Sequence, residues 1–68
     1  MDYTREDLQE AHRQIASTIH KLNEVIKTFE AKPDPDRYKS QLTLARRRVA
    51  AFTLAQQLIR DQLDHQEM

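Results

Sequence analysis

Two segments of the chain contain residues spaced alternately four and three positions apart, and all but two of these residues are apolar. In the first segment they are Leu8, His12, Ile15, Ile19, Leu22, Ile26 and Phe29, and in the second Tyr38, Leu42, Ala45, Val49, Phe52, Gln56, Ile59 and Leu63. A sustained four-three alternation keeps one side of a helix facing a partner helix and is typical of left-handed, coiled-coil-like packing. We call these two sets the inner stripes. Folding the chain between them brings Phe29 opposite Tyr38 and Leu8 opposite Ile59, which predicts a helical hairpin.

Local signals set the ends of both helices. Thr4 with Asp7 three residues later has the spacing of a capping box, which starts a helix. Pro33 disfavours helix at the residue before it. Asp34 followed by Pro35 matches an N-cap with proline at the first helical position. The sequence therefore predicts one domain over residues 1–68, with helix 1 at about 5–31, a turn at 32–34 and helix 2 at about 35–66.

Helix 2 has a further apolar surface beside its inner stripe. This second row comprises Leu44, Ala51, Leu54, Ala55 and Leu58, and helix 1 carries a weaker flank of Ala11, Thr18 and Val25. One neighbouring helix covers an apolar arc of roughly 100°, so helix 1 cannot cover both rows of helix 2. The predicted fold class is all-α, a two-helix antiparallel hairpin that dimerises into a four-helix bundle, because a twofold pair needs only one self-complementary surface. A higher oligomer or a different protein as partner remains the alternative.

Two polar residues interrupt the inner stripes. His12 and Gln56 fall in the same layer of the predicted hairpin. Such a buried polar layer sets the register by disfavouring slipped pairings. The functional alternative is a hydrogen-bonding site that responds to pH through the histidine.

Composition narrows the function classes. The chain has no cysteine and no glycine, only two prolines, and a formal net charge of zero. We find no Gly-rich phosphate loop, no Ser-His-acid arrangement and no Glu-x-x-His pair of a di-iron bundle, so we expect no catalytic, cofactor-binding or metal site, and no enzyme. No apolar stretch reaches membrane-spanning length, and the N-terminal segment lacks the apolar core of a signal peptide. The expectation is a cytoplasmic protein without a membrane partner.

The zero net charge conceals a segregation. No acidic residue lies between Asp36 and Asp61, and the hairpin brings basic residues of both helices to one level, a basic belt comprising Arg46, Arg47, Arg48, Lys21 and Lys27. The end of the hairpin opposite the turn, the open end, is acidic, with Glu6, Asp7, Asp61 and Asp64. The belt could contact the phosphates of RNA or DNA, dock on the acidic open end of a second copy, or be a solvated face. In architecture alone, the chain resembles the plasmid-copy-number modulators of the repressor-of-primer type, and that resemblance implies RNA binding.

The sequence leaves the specific function unknown. The first hypothesis is a small non-enzymatic interaction module whose second row mediates self-association as a homodimer. The alternatives are a nucleic-acid-binding regulator that uses the basic belt, and an adaptor or antagonist that docks helix 2 on another protein.

Overall fold

The computed structural model is an all-α antiparallel hairpin. It describes residues 3–66, without the side chain of Pro35. Helix α1 spans Arg5–Glu30, a short 3-10 turn spans Pro35–Tyr38, and helix α2 spans Lys39–Gln66. The two helices pack against each other along their length, and the hairpin measures 51 × 17 × 14 Å. The predicted fold of the single chain is confirmed.

Helix α1 begins with the predicted capping box. The backbone N–H of Asp7 donates to Thr4 Oγ1 at 3.0 Å, and the Thr4 N–H donates to Asp7 Oδ2 at 3.4 Å. Each bond satisfies a backbone N–H that has no partner within the helix. The carboxylate also lies at the positive end of the helix dipole. Both bonds join residues three apart, so this helix start needs no tertiary contact.

We expect Thr4→Ala to lower the free energy of unfolding by about 1 kcal/mol, the usual cost of losing an N-cap side chain. Thr4→Ser retains an acceptor oxygen and should remain close to the wild type. Urea unfolding followed by circular dichroism measures both. Equal stability of the alanine and serine variants would show that the cap contributes little.

The turn differs in detail from the prediction. Asp34 stands at the N-cap position, but its side chain makes no capping hydrogen bond. The Arg37 N–H, which the side chain would have accepted from, donates instead to the Asp34 carbonyl oxygen at 3.3 Å. This three-residue spacing is that of a 3-10 turn, so the regular α2 begins at Lys39 rather than Pro35. Helix α1 correspondingly ends one residue early, with Ala31 as its C-cap.

Aromatic stacking closes the turn end. The rings of Phe29 and Tyr38 lie 4.9 Å apart between centroids and are inclined by 16°. This confirms the predicted pairing of the two stripes at the turn. At the opposite end, Gln66 Nε2 donates to the Tyr3 carbonyl oxygen at 3.2 Å. The helices are therefore held side by side from the turn to the open end.

Burial follows the inner stripes. Every inner-stripe residue is buried or half-buried, and among the other described side chains only Ala11 and Ala55 are also shielded. Three of the described residues are buried, namely Leu8, Leu42 and Ala45, and each of them keeps 6–8% of its surface exposed. A two-helix unit has a single apolar seam, so most seam residues keep one edge in solvent. The core of the single chain is therefore thin.

Candidate interaction face

The second row lies outside the seam between the helices. Leu44 is 47%, Leu54 63% and Leu58 61% exposed, and Ala51 is exposed too. At about 100° per residue, the centre of this row lies roughly 120° around α2 from its inner stripe. Helix α1 covers only the nearer edge, where Ala55 is half-buried. As the sequence predicts, the sibling helix leaves the second row open in the single chain.

The flank of α1 faces the same way. Tyr3, Asp7, Leu8, Ala11 and Ile59 line one open groove, which therefore joins the Ala11 side of α1 to the Ile59 side of α2. Thr18 and Val25 follow Ala11 at intervals of seven residues and so continue that side of α1. On α2, Ile59 lies one helical turn from Ala55 and follows Leu58 directly in sequence. The flank and the second row thus form one surface.

We call this surface the apolar face. It contains all five large apolar residues that are exposed among the described ones, namely Tyr3, Val25, Leu44, Leu54 and Leu58. Scattered exposed leucines are normal on a protein surface, but large apolar residues confined to one side make that side a candidate interface. Sequence reasoning identified the α2 part and noted the α1 flank, but did not place the two on a common side or include Tyr3. The sequence does not show how the two helices are rotated against each other, and so does not show which side of the hairpin each row faces.

The exposed area is large for a chain of this size. The accessible surface is 5574 Å², whereas a folded monomer of 8.1 kDa exposes about 4,500 Å². The excess of roughly 1,100 Å² is comparable to the approximately 800 Å² that each partner buries in a standard protein–protein interface. The accessible surface is large because a two-helix hairpin is elongated. Pairing with another molecule would cover part of this excess surface.

The opposite side of the hairpin is polar. His12 and Gln56 line one small groove there, together with Thr53, Gln57 and Arg60. The two stripe residues thus share a layer, as the sequence predicts. Both are half-buried in the single chain, so the layer opens to solvent on this side rather than lying within a closed core. Gln57 Nε2 donates to Asp61 Oδ1 at 3.0 Å, which orders the rim of the groove.

The basic belt does not gather into one patch in the single chain. Arg46 Nη2 lies 3.6 Å from Glu30 Oε2 of α1, and Lys27 Nζ lies 3.6 Å from Glu24 Oε1. The three successive arginines are spread over about 200° of the helix circumference, so Arg47 and Arg48 point away from Arg46. The ion pairs of Arg46 with Glu30 and of Lys27 with Glu24 are exposed and contribute little to stability. Phosphate binding by the belt, including by Lys21, stays a prediction.

Two further features bear on function. Within residues 3–66 no group of three or more His, Cys, Asp or Glu side chains is arranged to hold a metal ion. In the same part of the chain, neither helix is both long and apolar enough to cross a membrane.

Comparison with protein-family models, with curated proteins and with solved structures finds no match to this chain. The fold and the apolar face are therefore the features that bear on function.

Proposed function

We propose that this chain is a small, non-enzymatic, cytoplasmic interaction module that self-associates through its apolar face into a homodimeric four-helix bundle. The observation that carries the proposal is the exposure of Leu44, Leu54 and Leu58 on a single side of the hairpin. Burial of apolar area is the main favourable term in association, at about 25 cal/mol per Å² removed from water. The second row provides such area along about four turns of α2, interrupted by Arg47 beside Leu44.

A second copy is the partner that this face fits best. A twofold pair needs no surface other than the apolar face itself, because each copy offers the same patch to the other. The thin seam supports the same conclusion, since a hairpin with three buried residues among those described gains stability directly from an added interface. In the proposed bundle the seam and the apolar face together form one core. The cytoplasmic location is retained from the sequence expectation.

Sedimentation equilibrium at micromolar concentration tests the proposal. We expect a particle of twice the 8.1 kDa chain mass, with dissociation and partial loss of helix on dilution. Circular dichroism over the same dilution series measures the coupling of assembly to folding. A monomer that stays fully folded over this range would refute self-association and leave the face for a different partner.

A further inference from the structure

We infer that the two copies pair in opposite directions, about a twofold axis that crosses the apolar face at the level of Ala51 and Thr18. This inference rests on the proposed self-association and specifies which residues of the partner complete the face. A twofold axis can relate two hairpins face to face in two ways. In the opposed pairing the turn of one copy lies beside the open end of the other, and α2 packs on α2. In the aligned pairing the two turns lie together, and α2 packs on α1.

The outermost residues of each row lie symmetrically about a central residue. Leu44 and Leu58 each lie seven residues from Ala51, and Ala11 and Val25 each lie seven residues from Thr18. The opposed pairing therefore sets Leu44 against the partner's Leu58, and Val25 against the partner's Ala11. Ala51 meets its own copy at the axis, where a small side chain lets the helices approach closely. On α1 a large side chain then faces a small one, and on α2 leucine pairs lie on both sides of the paired alanines. Such alternation allows adjacent layers to fill space.

One axis can serve both rows because their centres lie at the same height. His12 and Gln56 line a common groove and so mark one layer of the hairpin. Thr18 lies six residues beyond His12, and Ala51 five residues before Gln56, so both stand about 7.5–9 Å from that layer towards the turn. An opposed pair needs this coincidence, whereas an aligned pair does not.

The charge distribution favours the same orientation. Residues 17–50 form the half nearer the turn and carry eight Lys or Arg and four Asp or Glu. Residues 3–16 and 51–66 form the other half and together carry three Lys or Arg and five Asp or Glu. The opposed pairing places the positive half of each copy beside the negative half of its partner. The aligned pairing places the two positive halves beside each other and the two negative halves beside each other. Complementary potentials of this kind select orientation more than they add affinity.

Arg48 discriminates between the two arrangements most directly. It borders the apolar face, three residues before Ala51, and is therefore level with Lys21, three residues after Thr18. In the aligned pairing Arg48 would stand at the same level as the partner's Lys21. In the opposed pairing it lies over the partner's Leu54 and Ala55, where its aliphatic stem can cover apolar surface while the guanidinium reaches water. Like charges brought together at an interface disfavour the aligned arrangement.

Disulfide trapping tests the orientation, because the chain has no cysteine of its own. A disulfide needs Cα atoms about 4.4–6.8 Å apart. We expect Ala51→Cys to crosslink to its own copy on mild oxidation. Leu44→Cys and Leu58→Cys should each remain uncrosslinked alone, since two copies of position 44 lie about 21 Å apart along the axis, and should crosslink when mixed. Thr53→Cys, on the polar side, is the matched control and should not crosslink.

The opposite result is equally specific. If Leu44→Cys crosslinks with Val25→Cys on mixing while Ala51→Cys does not react, the pairing is aligned and the inference is overturned. Absence of any of these crosslinks in a protein that sediments as a dimer also overturns it, and leaves self-association standing. Sedimentation of each variant under reducing conditions identifies those that still assemble. If the unmodified chain does not dimerise, it is the proposed function that fails.

Discussion

Leu58→Glu is expected to convert the dimer to a monomer at micromolar concentration. Leu58 is 61% exposed in the single chain, so covering it in an interface contributes about 1–2 kcal/mol. A twofold dimer contains the contact twice, and the glutamate adds the cost of desolvating a carboxylate without a partner. We expect the dimer dissociation constant to rise by about 100-fold or more, measured by sedimentation over a concentration series.

A matched substitution separates the interface from a general effect of charge. Thr53→Glu places the same carboxylate in the same helix, at an exposed position on the polar side of the hairpin. It should leave the dissociation constant within a few-fold of the unmodified protein. Equal behaviour of the two glutamate variants would mean that Leu58 does not belong to the interface.

Leu42→Ala is expected to have the largest effect on folding itself. Leu42 is 7% exposed, and it is one of three buried residues in the described part of the chain. Truncating a buried leucine to alanine costs about 2–5 kcal/mol, from lost burial and from the cavity left behind. In so thin a core we expect most of the chain to be unfolded at room temperature. Urea or thermal unfolding followed by circular dichroism gives the change.

Leu44→Ala provides the comparison, because the same truncation two residues away removes a side chain that is 47% exposed in the single chain. Its cost should depend on protein concentration, since the side chain is covered only in the dimer. Leu42→Ala should be costly at every concentration. Parallel unfolding series at low and high concentration distinguish the two. A Leu42→Ala cost below about 1 kcal/mol would contradict the seam described above.

The sequence was sufficient to define the seam because burial in a helical pair follows periodicity. The four-three alternation assigns each residue an angle about its own helix axis. Every residue placed on an inner stripe is shielded in the structure, including the polar pair His12 and Gln56. The capping box of Thr4 and Asp7 could be predicted for a related reason, since its bonds join residues three apart and need no tertiary partner.

The turn was less accessible to sequence reasoning. The pair Asp34 and Pro35 suits a capped helix start, but a 3-10 turn occupies Pro35–Tyr38 and the regular helix begins at Lys39. The backbone carbonyl of Asp34 and its side chain, however, compete for the same Arg37 N–H, and the tight turn favours the carbonyl. Asp34 takes φ −124° and ψ 81°, a backbone path outside the extended region usual for a capping residue. That path is a property of the closed hairpin.

The sequence by itself determined two helices, the stripes by which they pack, and a second row that one sibling helix cannot cover. The tertiary structure decided that the second row and the Ala11–Val25 flank open on the same side, and that Arg46 and Lys27 pair with acids rather than joining a single basic patch. Periodicity gives the angle of a residue about its own axis. How each helix is rotated against the other, and which side chains then become neighbours, is set only when the two helices pack.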